Sequence, residues 1–270
     1  FGYLLEWLYN GIGQNYGIAL ILFTIILRII LLPLTIKQQK SMKKTTALQG
    51  KMQEIQFKYK NNPELMNKEI MELYKRENLS PFSGCISSIV QILIILSVFY
   101  LVSRPLTYMK KIDPGIIENY KNEISAENDG KISNYYEIEI IQKKAAQDEN
   151  IKVNMDFLGL DLSKVPSQNM SDATVYIIPL LYVVSSIFSI RMTTGKTKKK
   201  EGSNSSEPDM TQQMNKSMSY MMPIMAVSIA FVAPLGLALY WLVSNILMIL
   251  ERIVINKYVD SKEEKTLCLK

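Results

Sequence analysis

Arg28 is the residue of this sequence whose position most needs a chemical explanation. It lies near the middle of an apolar run of 19 residues, 18–36, and is the only charged residue in that run. A helix of this length spans roughly 28 Å, close to the hydrocarbon thickness of a bilayer. An arginine at the centre of a membrane helix costs about 2.5–3.5 kcal/mol on insertion scales. Such a side chain is expected to pair with an acid or to face a watery cavity that can receive an anionic group.

Polar side chains in the other apolar runs could line such a cavity. The interiors of these runs contain no Asp or Glu, and Glu251 lies near the end of the last run, so we expect an unpaired arginine in a hydrophilic groove. Gln91 and Asn245 are strong candidates because a side-chain amide is costly to leave unpaired in lipid, whereas each serine could instead bond its own helix backbone. The groove candidates are Arg28, Gln91, Ser87, Ser88, Ser189, Tyr240, Trp241 and Asn245.

The composition excludes several kinds of chemistry. The 270 residues include no histidine and only two cysteines, Cys85 and Cys268, so histidine-based catalysis and thiolate metal clusters are not expected. The tripeptide Gly-Lys-Thr at 195–197 is not a phosphate-binding loop, because that motif requires a glycine where Ile190 stands. We therefore expect no enzymatic reaction and no cofactor. A net charge of +6 and a pI near 9.0 are compatible with either nucleic acid or anionic lipid as a partner.

The elements that position these residues are predicted to be membrane helices. Mean hydropathy is only +0.05, but the apolar residues are concentrated in long blocks, which a soluble core would not require. The blocks predict five transmembrane helices, with Pro234 and Gly236 breaking the last block into two. The predicted spans are 18–36, 82–103, 173–191, 220–234 and 236–255. The expected fold class is an all-α polytopic membrane protein whose five helices form a hydrophilic groove.

The segments between the spans differ in charge. Segment 37–80 carries ten Lys/Arg against five Glu, and the basic loop 193–219 contains a lysine run. Segment 104–172 carries nine Lys/Arg against twelve Asp/Glu. The positive-inside rule therefore places 37–80, 193–219 and the tail 256–270 in the cytoplasm, and 104–172 and the N-terminus outside.

Two further segments are predicted to be helical. Apolar residues at helical spacing on either side of Asn61-Asn62-Pro63 predict a cytoplasmic helical hairpin over 37–80. The aromatic start, 1–17, is too short to span and predicts a helix lying at the outer interface, with a frayed terminus as the alternative. Because the chain begins with Phe1, we expect its natural N-terminus to lie upstream.

Four motifs, in this order, resemble the YidC/Oxa/Alb family of membrane protein insertases. They are YGIA at 16–19 with LRIILLPLT at 27–35 and KQQKSM at 37–42; LSPFSGC at 79–85 with Gln91; NMDFLGLDL at 154–162; and Met222-Pro223 with PLGLALYW at 234–241 and Ser244-Asn245. The resemblance covers nearly all of 1–258. It implies a five-helix core with a groove open to the cytoplasm and lipid, and it places the groove arginine at Arg28.

The resemblance also implies a function. A member of this family would move nascent membrane proteins from the cytoplasm into the bacterial plasma membrane, alone or with the Sec translocon, and would contact ribosomes. We expect Lys37, Lys40, Lys43 and Lys44 to contact the client or ribosome, and the chain to be active as a monomer. If the segment before Phe1 is short, the chain resembles Gram-positive members. The alternatives are a passive assembly scaffold and a small transporter or anion channel that uses Arg28 as its binding charge.

Overall fold

The computed structural model describes residues 1–77, 79, 83–194 and 228–268. Some helical residues, among them 83–88 and 258–268, are described by their backbone alone. These ranges divide into two compact units. The first unit comprises Phe1–Leu27 and Val98–Leu250, and the second comprises Arg28–Ser97 and Glu251–Lys270.

The described ranges are mostly helical. The α-helices are α1 (Gly2–Gly11), α2 (Tyr16–Lys58), α3 (Pro63–Arg76), α4 (Ser83–Ser103), α5 (Pro114–Glu127), α6 (Tyr136–Lys144), α7 (Ile177–Thr194) and α8 (Leu235–Cys268). Residues 228–232 form a further helical segment. The 3-10 turns are Glu149–Ile151, Pro166–Gln168 and Ala173–Tyr176, and Leu106–Lys110 is a π-helical turn. Strands β1 (Asp156–Phe157) and β2 (Leu160–Asp161) pair antiparallel.

Three helical stretches in the described ranges are long and apolar enough to cross a membrane. They are Tyr16–Thr45, Ala173–Met192 and Leu235–Ile255, and Ile89–Ser103 is a shorter apolar stretch within α4. Only 22–39% of the apolar 18-residue core of each long stretch is buried inside the protein. Apolar helices with so much uncovered surface are typical of lipid-facing helices.

The predicted all-α polytopic membrane class is confirmed. The predicted division into spans and loops remains a prediction. Most of the proposed span 220–234 and of the basic loop 193–219 lies outside the described residues.

Helix α2 extends past Ile36, the predicted end of the first span. It continues from the apolar run without a break to Lys58, because the residues after Ile36 are mostly good helix formers and contain no proline until Pro63. Asn62 then caps α3 by accepting a hydrogen bond from the backbone N–H of Leu65 at 3.1 Å. This arrangement places the helix end at the Asn-Asn-Pro turn rather than at the limit of the apolar run.

The second unit includes the pair formed by the later part of α2 and α3. Lys51 Nζ lies 2.9 Å from a carboxylate oxygen of Glu77, and Tyr74 donates a hydrogen bond to the sulfur of Met52 at 3.7 Å. Leu48 is buried. These contacts hold the two helices side by side.

In the first unit, α1 packs one face and exposes the other. Leu5, Leu8 and Tyr9 are buried, whereas Tyr3 and Trp7 are 76% and 68% exposed. The Tyr9 hydroxyl accepts a hydrogen bond from Asn154 N at 2.9 Å, which fixes α1 against the segment that leads into β1. An aromatic outer face on a short helix suits a membrane interface.

The β1–β2 hairpin is attached to the first turns of α2 and α8. Tyr16 N donates to Asn154 O at 3.0 Å, and Gly236 N donates to Leu162 O at 2.8 Å. Gly17 lies against the Phe157 ring, where an added Cβ would lie 2.5 Å from ring atoms. The two helices and the hairpin therefore form one packed layer in this unit.

Candidate functional site

Arg28, in the second unit, is paired with an acid. Its Nη1 atom lies 3.6 Å from Oε2 of Glu251, and the two side chains are only 15% and 11% exposed. Both residues belong to stretches apolar enough to span a membrane. The expectation of an unpaired arginine is therefore wrong. The sequence showed Glu251 near the end of its span, but it gave no information about how α2 and α8 are offset along their axes.

The geometry of this pair is that of a loose ion pair. A separation of 3.6 Å exceeds hydrogen-bonding distance, and Glu251 Oε2 is buried without a hydrogen-bond donor among the described residues. Two opposite charges at this distance reduce the cost of keeping either one in the membrane. A carboxylate oxygen with no donor has spare accepting capacity.

The remaining groove candidates of this unit are on α4. Gln91 is half-buried. Ser87 and Ser88 fall on helical residues described only by their backbone, so their side chains lie outside the description. Exposed apolar residues surround Gln91 on the same helix: Ile89, Ile92, Leu93 and Leu96. A half-buried amide on a helix whose other faces are apolar is suited to contact with a polar group.

The predicted basic contact residues follow Arg28 along α2. Lys37, Lys40 and Lys44 are exposed, and Lys43 is half-buried. They begin nine positions after Arg28 and lie in the last part of the stretch Tyr16–Thr45. Three of the four ammonium groups can therefore meet a phosphate or a client carboxylate without rearrangement.

Asn245, in the first unit, makes interhelical hydrogen bonds. Its Nδ2 donates to Ser185 Oγ at 2.8 Å and to Ser186 Oγ at 3.2 Å. Asn245 is 8% exposed and Ser186 is 5% exposed. The amide therefore links α7 to α8. In this structure Asn245 acts as a tie between helices, and its donor group is already used, which the groove interpretation did not anticipate.

The other first-unit candidates differ in exposure. Tyr240 is 4% exposed, whereas Trp241 and Ser189 are half-buried. Exposed apolar side chains are abundant on α7: Leu180, Leu181, Val184, Ile187 and Phe188. Trp241 therefore has a partly open surface that an apolar helix could contact, and Tyr240 does not.

Segment 104–172 has its own buried acid. Glu137 is fully buried and accepts hydrogen bonds from Thr107 N at 2.9 Å and Thr107 Oγ1 at 2.6 Å. Burial raises the pKa of this carboxyl, and the hydrogen bonds from Thr107 and the charge of Arg104 oppose the rise. The carboxyl caps the π-helical turn, and its role is structural.

Two lysines of this segment form ion pairs that connect its elements. Lys144 Nζ lies 3.0 Å from oxygens of both Glu123 and Glu127, and these hydrogen bonds raise its pKa. Lys164 Nζ lies 2.8 Å from Asp172, and this hydrogen bond is the main reason the pKa of Asp172 is lowered to about 2. Both pairs connect helices or turns within the first unit.

The structure therefore divides the predicted site residues between the two units. Arg28, Gln91 and the lysines belong to the second unit, and Ser189, Tyr240, Trp241 and Asn245 belong to the first. Sequence reasoning missed Glu251 as the partner of Arg28 and missed Ser185 and Ser186 as the partners of Asn245. The hydroxyl pair on α7 and the acid on α8 were visible signals, but a pairing between helices has no sequence spacing that reveals it.

Comparison with known proteins identifies relatives over nearly the whole chain. The family model described as "60Kd inner membrane protein" matches residues 7–263. A Treponema denticola protein named "Membrane protein insertase YidC" is 29% identical over 250 residues, which cover 93% of this chain and 36% of that protein. A Geobacter metallireducens protein of the same name is 29% identical, covering 93% of this chain and 35% of that protein.

A shorter relative matches along most of its own length. The protein of the same name from Oceanobacillus iheyensis is 28% identical over 271 residues, covering 97% of this chain and 84% of that protein. This chain thus spans about a third of the length of the first two relatives and most of the third.

Proposed function

Because this chain belongs to the 60Kd inner membrane protein family, to which the YidC insertases belong, we propose that it inserts nascent membrane proteins into the lipid bilayer. The family resemblance that the motifs indicated is confirmed. The observation that carries the proposal is Arg28, a cation 15% exposed in a helix of membrane-spanning length. A charge at that position has no role in anchoring or topology, since it is too far from the helix ends.

Arg28 lowers the cost of bringing a client carboxylate to mid-membrane. A nascent segment with acidic residues next to its apolar helix enters from the cytoplasm, and its acid is received by the guanidinium group. Attraction between opposite charges is stronger where the dielectric constant is low, so the guanidinium group favours a client carboxylate at this depth. Gln91 offers a second polar contact.

The apolar part of the client passes toward lipid along α8, where Trp241 is half-buried and the neighbouring Ile246 and Leu250 are exposed. Release is downhill, because the client's apolar helix is more stable in hydrocarbon than in a polar site. The process requires no nucleotide.

The basic part of α2 is proposed to meet the client or the ribosome. Exposed Lys37, Lys40 and Lys44 are suited to binding RNA phosphates or acidic peptide. We propose that this end of α2 and the tail 256–270 are cytoplasmic and that 104–172 and the N-terminus lie outside. The chain would act alone for some clients and with the Sec translocon for others.

A photo-crosslinking experiment tests the client path. A photoreactive residue is placed at position 91 or 241, and a ribosome-stalled nascent chain with one apolar helix is presented. Crosslinks are expected from both positions. Trp7 is 68% exposed on α1, away from the proposed client path, and serves as a matched exposed aromatic control.

A comparison of two stalled chains distinguishes specific client contact from non-specific crosslinking. Crosslinks from 91 and 241 that require the client's apolar helix support the path. Equal yields for an all-polar stalled chain would contradict it. Anion flux through liposomes that contain the chain and no client would instead favour an anion channel.

A further inference from the structure

We propose that Glu251 is a resident counter-ion that occupies Arg28 when no client is bound and that a client carboxylate displaces. The inference rests on the proposed insertase function and adds a rule of client selection to it. A client must compete with an internal carboxylate of the same chemical class, so clients with a well-placed acid are favoured over neutral ones.

The observation behind this proposal is the incomplete bonding of the acid. Glu251 Oε2 is buried, accepts no hydrogen bond among the described residues, and lies 3.6 Å from Arg28 Nη1. Buried carboxylates normally have several donors, and a close Arg–carboxylate pair has N···O distances of about 2.7–2.9 Å. A pair built for stability alone would be expected to close to that distance.

The pair also explains how the cation is tolerated before a client arrives. With Glu251 at 3.6 Å, the net charge of the pair is zero, and the membrane cost of Arg28 is reduced. A client carboxylate that approaches within hydrogen-bonding distance replaces a loose contact with a tighter one of the same sign. The exchange keeps one carboxylate beside the arginine, and the displaced Glu251 carboxylate balances the charge by taking up a proton from water or by turning toward water at the nearby end of the span, Ile255.

The test compares Glu251→Gln, which keeps the size and removes the charge, with the wild type. Two single-span clients are used, one with an aspartate next to its apolar helix and one with asparagine there. Client capture is measured as crosslinking yield from a photoreactive residue at position 31, one helical turn from Arg28. We expect Glu251→Gln to raise capture of the acidic client by about fivefold and to change capture of the neutral client by less than about twofold.

Two further variants make the outcome interpretable. Glu77→Gln removes the acid from the exposed ion pair with Lys51 in the same unit, and we expect it to change the capture of neither client. In an Arg28→Ala background, Glu251→Gln must no longer raise the capture of the acidic client. A melting temperature for each variant, measured in detergent, shows whether the fold is kept.

The failure of this proposal differs from the failure of the proposed function. If the wild type captures neither client, the insertase proposal fails. If it captures both and Glu251→Gln affects them equally, or leaves both unchanged, the counter-ion proposal is overturned and the insertase proposal stands. A fall for the acidic client with an unchanged melting temperature would also overturn it.

A second, independent observation concerns the tip of the β1–β2 hairpin. We propose that Leu158 inserts into the lipid leaflet next to the first turns of α2 and α8. Leu158 is 86% exposed and has a backbone φ of 54°, with Gly159 at 78°. A leucine is disfavoured in the left-handed region, so nothing in the turn itself favours this residue.

The position of the tip is fixed by contacts within the first unit. Asn15 Nδ2 donates to Asp156 O at 2.8 Å, and Asn15 immediately precedes the membrane-spanning stretch that begins at Tyr16. Leu158 is two residues beyond Asp156, which is about 7 Å of extended chain. The polar region on each side of a bilayer's hydrocarbon core is about 5–7 Å deep. An exposed leucine held this close to the end of a span is within reach of the leaflet.

A depth measurement tests this assignment. An environment-sensitive fluorophore is attached to Leu158→Cys in a Cys85→Ser, Cys268→Ser background, and the chain is reconstituted in phosphatidylcholine vesicles with or without lipid brominated near the headgroup. Asp129→Cys is the matched control, since Asp129 is an exposed turn residue of the same segment with a φ of 52°. We expect at least about twofold stronger quenching at 158 than at 129. Equal quenching with water-like emission at both positions would overturn the proposal.

Discussion

The interhelical hydrogen bonds of Asn245 provide a test of how the first unit is held together. Asn245 donates to Ser185 at 2.8 Å and to Ser186 at 3.2 Å, and it is 8% exposed. Asn245→Leu keeps a similar volume and removes both bonds. Interhelical hydrogen bonds in membrane proteins contribute about 0.6 kcal/mol on average and at most about 1.7 kcal/mol.

The expected loss in the free energy of unfolding is toward the middle of that range for each hydrogen bond. Ser185 Oγ also donates to Tyr182 O at 2.9 Å, so its hydroxyl retains a partner when the amide is removed. Ser186 also shares a side-chain hydrogen bond with Tyr182, so its hydroxyl retains a partner as well. We therefore expect Asn245→Leu to lower the free energy of unfolding by about 1–2 kcal/mol and the melting temperature by about 2–6 °C.

The assay is a double-mutant cycle with thermal unfolding in detergent as the readout. The single variants are Asn245→Leu and the Ser185→Ala, Ser186→Ala pair, and the full variant combines them. A coupling energy of about 1 kcal/mol is expected, because the three side chains are in direct contact. Ser97→Ala is the matched control, since Ser97 is exposed and its hydroxyl donates to its own helix, at Leu93 O.

Additive effects in this cycle would refute the reasoning. Loss of client crosslinking from Asn245→Leu at an unchanged melting temperature would show that Asn245 contacts the client instead of tying α7 to α8. The wild-type melting temperature is the reference for both comparisons.

Three further predictions concern the first unit. Gly17→Ala is expected to lower stability by about 1–3 kcal/mol, because its new Cβ would lie 2.5 Å from the Phe157 ring, and Phe157→Ala should recover part of the loss in the same melting assay. Asp172, whose pKa Lys164 lowers from 3.8 to about 2, contributes stability above about pH 4 that is lost as the pH falls through about 2; Asp172→Asn should therefore remove an acid-dependent step from the melting temperature between pH 5 and pH 2, and an unchanged profile would contradict the pairing. Burial raises the pKa of Glu137, so its contribution is present at low pH and is lost as the pH rises through that raised value; Glu137→Gln should consequently gain stability relative to the wild type at pH 8 but not at pH 4, and a constant difference would refute this sign.

The sequence was sufficient to identify the features that depend on composition and local order. Long apolar runs predict lipid-facing helices. In hydrocarbon the backbone must satisfy its hydrogen bonds internally, and a helix does so within one segment. Asn61-Asn62-Pro63 predicts a turn because proline and asparagine have specific backbone preferences. The position of Arg28 in an apolar run pointed to a functional charge before any helix was placed.

The sequence could not supply the contacts that cross between helices. Whether Arg28 meets Glu251 depends on the axial offset of α2 and α8, and whether Asn245 meets Ser185 depends on the rotation of α7. Each depends on packing among several helices. The composition allows these pairings but does not select them, so both the ion pair and the amide tie had to come from the structure.

The uninterrupted length of α2 is a third such case. The sequence suggested a change of element at the end of the apolar run, since hydropathy changes there. Helix propensity does not change at that point, and the hydrogen-bond ladder continues to Lys58. The end of an apolar run and the end of a helix therefore have different physical causes.

Insertion into liposomes that contain this chain as their sole protein is the most direct test of the central claim. A single-span client with an aspartate next to its apolar helix is synthesised in their presence, and its protease-protected fraction is measured for the wild type, Arg28→Lys and Arg28→Ala, with the exposed surface variant Arg76→Ala as control. We expect protection well above empty liposomes for the wild type, a value within about threefold of the wild type for Arg28→Lys, and a loss of about tenfold for Arg28→Ala. Wild-type protection equal to that of empty liposomes, or normal protection with Arg28→Ala, would contradict it.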